Sequence, residues 1–358
     1  MPDIPVVRKG QPSTALTRDQ FSKRLRERFY DPAFEPLHDE IDRLVAAAWD
    51  SYDQYRKNPR TRKAGPGFAN PEFELPIEWL DARERILSAQ REHDDSSRPR
   101  RVLVVSGAAR TDQTCPGEMS KTFRLVQIAR EELDASGCQC DVLDLSDLTA
   151  EYGRQILPCK ACVSTAMPLC HWPCSCYPNH AMGQVNDWMN ELYPRWVAAH
   201  GVLIVTPVYW YQAPSVLKLM IDRLVCADGG NSDPTTTHGK RPDEAKALEL
   251  AGWNYPRHLA GRLFGVVVHG DAAGAETLRR SLTDWLSDMD LVPATRAAID
   301  RYIGYYEPYA TSHETLDRDE AVQQEVRNVA QSLGAALQLA RDGTFQRSDA
   351  KVRDPRPK

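Results

Sequence analysis

The chain has 358 residues, a formal net charge of −5, 27% charged residues and nine cysteines. That length suits one large domain with an elaborated arm. The mild acidity gives no electrostatic footprint for nucleic acid, and no apolar run approaches the roughly 20 residues of a membrane helix, so neither is an expected partner. The opening Met1-Pro-Asp-Ile-Pro-Val-Val-Arg-Lys-Gly10 has no apolar h-region, so a soluble, cytoplasmic protein is expected.

Residues 1–34 are polar and proline-containing and read as an extended arm. Ile41, Leu44, Val45 and Ala48 recur at i, i+3, i+4 and i+7, which predicts an amphipathic helix between Pro36 and Trp49. Residues 57–76, rich in Lys, Arg, Gly and Pro, read as loop. A second helix near Pro76 to Gln90 carries Trp79, Leu80, Arg83 and Ile86. The polar stretch Glu92 to Arg101 reads as a linker. Residues 1–99 are therefore expected to form an arm and helical extension that wraps the core or a neighbouring subunit, because two short helices bury little alone.

From Arg101 the texture changes. Val102-Leu-Val-Val105 is a continuous apolar run, as in a strand covered on both faces. Its helix, about Met119 to Ser136, places Leu125, Ile128, Ala129 and Leu133 on one face. Asp141 to Leu145, Gly201 to Thr206, Leu263 to Val268 and Thr295 to Asp300 predict four further strands. The third strand leads into a helix bearing Leu217, Met220, Ile221 and Leu224, and the fourth into one bearing Leu278, Leu282, Trp285, Leu286 and Met289. A last helix starts at the capping pair Asp317 and Glu320, runs through Val322, Val326, Val329, Leu333 and Leu337, and stops at Gly343. Strands alternating with helices predict an α/β fold over residues 100–345 with a doubly wound, five-stranded parallel sheet of order 2-1-3-4-5. Residues 346–358 are charged and read as a disordered tail. Two insertions interrupt the pattern: a cysteine-rich segment between the second and third strands, and Ala227 to Gly261.

The chemistry-bearing residues follow strand ends. Ser106-Gly-Ala-Ala-Arg110 leaves the first strand, and Ser120-Lys121-Thr122 opens the next helix. Small residues let the backbone close around an anion, while hydroxyls, free N–H groups and about half a positive charge from the helix dipole attract it. The same residues also suit an ordinary helix cap. Pro207-Val208-Tyr209-Trp210 follows the third strand and precedes a helix start at Pro214, where a missing N–H costs nothing. His269-Gly270-Asp271-Ala-Ala-Gly274 follows the fourth, and its glycines allow close backbone approach to a flat ligand. His269 is a weak candidate proton donor.

The run P-x-Y-x-x-x-x-P-x-x-L-K-x-x-I-D-R from Pro207 to Arg223 resembles the second flavin loop of the NADPH-dependent FMN reductase family, whose fold is flavodoxin-like. The first loop resembles that family's phosphate loop, G-S-x-R-x-x-S-x-T. Here Gly and Ser are transposed, and a spacer including Cys115-Pro-Gly117 separates Arg110 from the Ser-Lys-Thr. The third resembles the family's loop against the flavin ring. The resemblance implies FMN held by Ser106, Arg110, Ser120, Lys121 and Thr122, by Pro207, Val208, Tyr209 and Trp210, and by His269, Gly270, Asp271 and Gly274. Lys218, Asp222 and Arg223, farther along the helix, read as structural. NAD(P)H would be the co-substrate and a small molecule such as a quinone or flavin the electron acceptor. The cofactor carries that chemistry, which agrees with the lack of a Ser-His-Asp set and of a G-x-G-x-x-G loop.

Five of the nine cysteines fall at Cys159, Cys162, Cys170, Cys174 and Cys176. Thiolates this close suit zinc or iron–sulfur ligation, and equally reduced thiols or a redox disulfide. Their place in the chain resembles that of the cluster motif of iron–sulfur flavoproteins, which would imply a 4Fe–4S cluster. That motif is a compact C-x2-C-x2-C, whereas the second gap here is x7. Cys115, Cys138, Cys140 and Cys226 read as packing residues. The aromatic run Tyr302 to Tyr309 reads as the roof of a substrate pocket or a subunit contact. The expected protein is an NAD(P)H-dependent FMN oxidoreductase, a homodimer or homotetramer. The alternatives are a flavodoxin-like or iron–sulfur electron carrier and a metal-binding protein without flavin.

Overall fold

The computed structural model describes residues 8–115, 117–303 and 308–346, arranged in two compact units. The expectations for the tail from Arg347, for Pro116 and for Gly304 to Glu307 of the aromatic run lie outside the described residues.

The first unit comprises residues 1–59 and 179–185. Helix α1 (Arg18–Arg26) lies inside the stretch expected to be extended. A capping box explains it: Thr17 Oγ1 accepts from Gln20 N, and Gln20 Oε1 accepts from Thr17 N. Helix α2 (His38–Asp53) buries Ile41, Val45 and Tyr52, and the Phe21 ring packs against Trp49 and Tyr52 at 5.5 and 4.8 Å.

The second unit, residues 60–178 and 186–358, contains the sheet. It begins with a small antiparallel hairpin, Thr61–Lys63 with Glu74–Pro76, inside the span expected to be loop. Three-residue strands are too short to show a period in sequence. Helix α3 (Ile77–Asp94) follows, with Trp79, Leu80 and Ile86 buried. The sheet strands are β1 (Arg101–Ser106), β2 (Gln139–Asp144), β3 (Gly201–Pro207), β4 (Leu263–Gly270) and β5 (Val292–Tyr302). All neighbours are parallel and the order is 2-1-3-4-5, as expected of a flavodoxin-like fold.

Side-chain alternation divides the core. Leu103 and Val105 face one layer with α3, α5 (Met189–Ala198), α6 (Ser215–Arg223) and α8 (Ala275–Asp288). Val102 and Val104 face the other, with α4 (Lys121–Ala135) and α10 (Glu320–Arg341). Val102 to Val105 and Val202 to Val205 are completely buried, each contributing about 1.5–3 kcal/mol relative to exposure. Helix α5 was not anticipated, because Pro194 interrupts its pattern. Neither was α7 (Pro242–Leu250) inside the second insertion. The expected Asp317 cap is also corrected. Asp317 belongs to α9 (Tyr309–Arg318), where its carboxylate pairs with Arg124, and the side chain of Asp319 accepts from Val322 N to start α10. No helix among the described residues is long and apolar enough to cross a membrane.

Candidate functional site

Parallel strands release their loops from one edge. β1, β3 and β4 end side by side, with Ser106 opposite Val205 and Pro207 opposite His269. Their loops enclose a cleft of about 280 Å³ lined by Ala108, Arg110, Ser120, Lys121 and Thr122 on one side and Pro207, Val208 and Tyr209 on another. His269, Gly270 and Asp271 close the third side, joined by Ile303 after β5 and Ser312 in α9.

The first wall is a helix N-terminus. The Ser120 hydroxyl accepts from Phe123 N at 3.1 Å, so it caps α4 and fixes the free N–H groups of the first turn. Lys121 is half-buried, and burial holds its ammonium below the usual lysine range despite Glu118 and Asp271 nearby. Thr122 Oγ1 meets His269 Nε2 at 2.8 Å in a buried contact that ties this wall to the third. Burial, with the Lys121 charge, pulls the His269 imidazole down to about 3, so it is uncharged at neutral pH. Its Nδ1 is buried with no hydrogen-bond partner among the described residues.

The second wall turns sharply. Tyr209 and Gln212 exchange both backbone hydrogen bonds, and Trp210 and Tyr211 occupy left-handed conformations with φ of 46° and 69°. Positive φ at both central residues belongs to turns that normally take Asn and Gly, so two bulky aromatics here are held against their preference. The consequence is presentation: Trp210 is 91% exposed at the tip rather than lining the cleft. Behind it, Gly274 has φ +106°, and a Cβ there would lie 2.6 Å from Tyr211 Cα. A Cβ on Gly270 would likewise fall 2.7 Å from Val208 Cγ1. These glycines are therefore required by the close approach of the second and third loops.

Ten of the thirteen residues expected to hold flavin line this cleft: Arg110, Ser120, Lys121, Thr122, Pro207, Val208, Tyr209, His269, Gly270 and Asp271. Ser106 is fully buried at the end of β1, with no partner for its hydroxyl among the described residues, and Gly274 stands behind the aromatic turn. Ile303 and Ser312 were missed. The aromatic run around Ile303 was the available signal, whereas Ser312 joins through the packing of α9, which no local motif announces.

The cysteine segment builds a second constellation. It docks on the other insertion: Asn231 N donates to Cys170 O at 2.6 Å, Trp172 N to Asn231 O at 2.9 Å, and Met167 N to Glu249 Oε2 at 2.8 Å. Arg223 anchors it, donating to Leu157 O at 2.7 Å and pairing at 2.6 Å with Asp187, both side chains almost wholly buried. Lys218 pairs with Asp222 on the surface. Cys162 Sγ and Cys176 Sγ lie 3.3 Å apart, with Lys240 Nζ at 3.0 and 3.1 Å from them. The Cys176 contact and Lys240 bring the Cys162 thiol down to about 5. Burial pushes the Cys159 thiol up, and Cys170 is pushed up by its contact with Cys226.

A tetrahedral zinc holding each sulfur at ~2.3 Å would separate two thiolates by about 3.8 Å and place a cation between them. Here an ammonium already bridges the sulfurs, and among the described residues no three Cys, His, Asp or Glu side chains gather in a way that would hold a metal ion. Cys162 and Cys176 are thus side by side with a lysine between them, and the five cysteines do not form a metal-ligand set among the described residues.

A doubly wound parallel sheet whose loops form a slot beside a helix N-terminus defines a flavodoxin-like protein. The sequence model of NADPH-dependent FMN reductase matches residues 100–302, and the chain belongs to that family of flavin-dependent oxidoreductases. It is 26% identical over 125 residues to the iron–sulfur flavoprotein of Methanosarcina thermophila, a match covering 35% of this chain and 52% of that protein. The chain thus spans about half the length of this curated relative. Among solved structures it is similar to RosB with bound 8-demethyl-8-formylriboflavin-5'-phosphate (13% identity, 72% of this chain, 94% of that one, TM-score 0.47). It is also similar to the apo form of the NADH:FMN oxidoreductase EmoB (15% identity, 72% of this chain, 97% of that one, TM-score 0.39).

Proposed function

We propose that the protein binds FMN in the cleft at the carboxyl edge of the sheet and oxidises NAD(P)H, passing the reducing equivalents to a small acceptor such as a quinone or a flavin. The carrying observation is the convergence of three strand-end loops around one slot with a helix N-terminus at its side. FMN would supply hydride acceptance and donation at its N5. The chain's own part is to bind and orient. The first turn of α4 would take the phosphate through the N–H groups fixed by Ser120, the Thr122 hydroxyl and the Lys121 ammonium, where the dipole favours a dianion. Pro207 to Tyr209 and Gly270 would flank the flat ring, the glycine leaving room that a Cβ would take. An uncharged His269, tied to Thr122, fixes the distance between the two walls.

Steady-state NADH and NADPH oxidation by FMN-loaded protein with a quinone acceptor tests this reading. Turnover with either nucleotide supports it. Bound flavin without turnover would leave the electron-carrier alternative, and failure to bind FMN the metal-binding one. The curated relative's name supports an iron–sulfur carrier, but the lysine-bridged thiols argue against it; iron and sulfide analysis of anaerobically purified protein discriminates. The assembly proposed is a homodimer or homotetramer in the cytoplasm, which light scattering during gel filtration would size.

A further inference from the structure

No residue of the cluster where the two insertions meet lines the cleft at the sheet edge. Lys240 comes from the second insertion and lies within hydrogen-bond distance of two sulfurs of the first, 3.0 Å from Cys162 and 3.1 Å from Cys176. No carboxylate lies within ion-pair distance of Lys240 among the described residues, so the sulfurs take the place of its counter-ion. The two insertions are held together by backbone hydrogen bonds from Asn231 N to Cys170 O and from Trp172 N to Asn231 O, and by packing of Ala245 against Ala166 and Leu169. The sulfurs are not equivalent. Cys162 is half-buried, whereas Cys176 is buried. Their 3.3 Å separation needs a movement of only about 1.2 Å to reach the length of a disulfide bond.

We infer that Cys162 and Cys176 form a reversible dithiol–disulfide site, with Lys240 as its charge clamp and a hydroperoxide as its oxidant. The ammonium favours the thiolate at Cys162, which is the nucleophilic form. That sulfur attacks the near oxygen of hydrogen peroxide, the O–O bond breaks, and the departing hydroxide takes a proton to become water, leaving a sulfenic acid. The Cys176 sulfur then attacks the sulfenic sulfur. The S–S bond forms, the S–O bond breaks, and the hydroxyl leaves as water with the Cys176 proton. The two thiols are together oxidised by two electrons, and one peroxide is reduced to two waters. A dithiol reductant reverses the sequence. Closing the bond removes the anionic partner of Lys240, which weakens the dock between the insertions.

The test uses the full-length protein, reduced, treated briefly with a small excess of hydrogen peroxide, quenched with an alkylating agent and mapped by peptide mass spectrometry. The expected result is a loss of ~2 Da and a cross-linked peptide joining Cys162 to Cys176, reversed by dithiothreitol. Lys240→Met should slow formation of that peptide about tenfold at neutral pH while the flavin spectrum is unchanged. Oxidation of Cys162 to the sulfonate without a cross-link, or a cross-link joining other cysteines, would overturn the inference. So would iron and sulfide that co-purify with the protein and are lost in Cys162→Ser. The mapping on the unaltered chain decides the matter even if the Lys240 variant misfolds, and it reads the same whether or not FMN is bound.

Discussion

The cleft at the sheet edge and the dock between the two insertions are built by opposite means. The cleft is assembled from short loops, each leaving the strand beside it, and it holds its geometry with backbone approach and a neutral imidazole. The dock joins segments distant in sequence through charges: Arg223 with Asp187, 36 residues apart, and Lys240 with two sulfurs, 78 and 64 residues away. A site made by topology alone can be read from motifs at strand ends. One made by the meeting of two insertions cannot.

Four perturbations bear on this contrast, in falling order of expected effect. The first concerns the neutral histidine. An unfolded chain takes up a proton on His269 below about pH 6.5. The folded one resists until about pH 3. Its contribution to stability is therefore constant above pH 6.5, falls as the pH drops towards 3, and levels off below. The loss is at most about 4–5 kcal/mol. His269→Gln should remove that component, so its urea-unfolding free energy should vary less with acidification than that of the unaltered protein. Parallel pH curves would contradict the assignment of a buried neutral ring.

The second perturbation strikes the dock. Arg223→Met leaves the Asp187 carboxylate buried without its partner and should cost about 3–5 kcal/mol in denaturant unfolding. Removing the carboxylate as well, with Asp187→Leu, should recover part of that loss; a strictly additive double variant would mean the two side chains do not interact.

The third returns to the cleft. Gly274→Val brings a side chain against Tyr211 Cα at a backbone angle that valine avoids. Affinity for FMN should fall about a hundredfold, which is ~2.7 kcal/mol. Unchanged affinity would show that the second and third loops need not touch. The smallest effect is expected at Ser120→Ala, where loss of the cap should cost about 1 kcal/mol of stability together with a similar loss in FMN binding. A stability loss with no binding loss would mean that α4 does not face the ligand.

Much of the sheet and of the cleft was legible in the sequence because the physics is local. Val102 to Val105 and Val202 to Val205 must be covered on both faces, and Pro207, Gly270 and Ser120 mark where those strands empty. What escaped depended on distant partners or on interrupted periodicity. Helix α5 was hidden by Pro194, and α10 begins at Asp319 because Asp317 is drawn to Arg124. The left-handed turn that exposes Trp210 at its tip was not legible either, since two aromatics at positive φ break the usual preference. Lys240 sits in a polar stretch with no periodicity, so nothing local announced that it would face two sulfurs. The five cysteines suggested a soft-metal site from their spacing and their place in the chain, and beside two of those sulfurs the structure sets a lysine from elsewhere in the chain.

The central claim, that one slot at the carboxyl edge of β1, β3 and β4 holds FMN, is tested most directly by titrating the purified protein with FMN and following the flavin fluorescence. The expected result is one FMN per chain with a Kd of ~1 μM or below, weakened in Gly274→Val and Ser120→Ala and untouched in Lys240→Met. No binding at ~10 μM, or binding that ignores the cleft variants, would contradict the account.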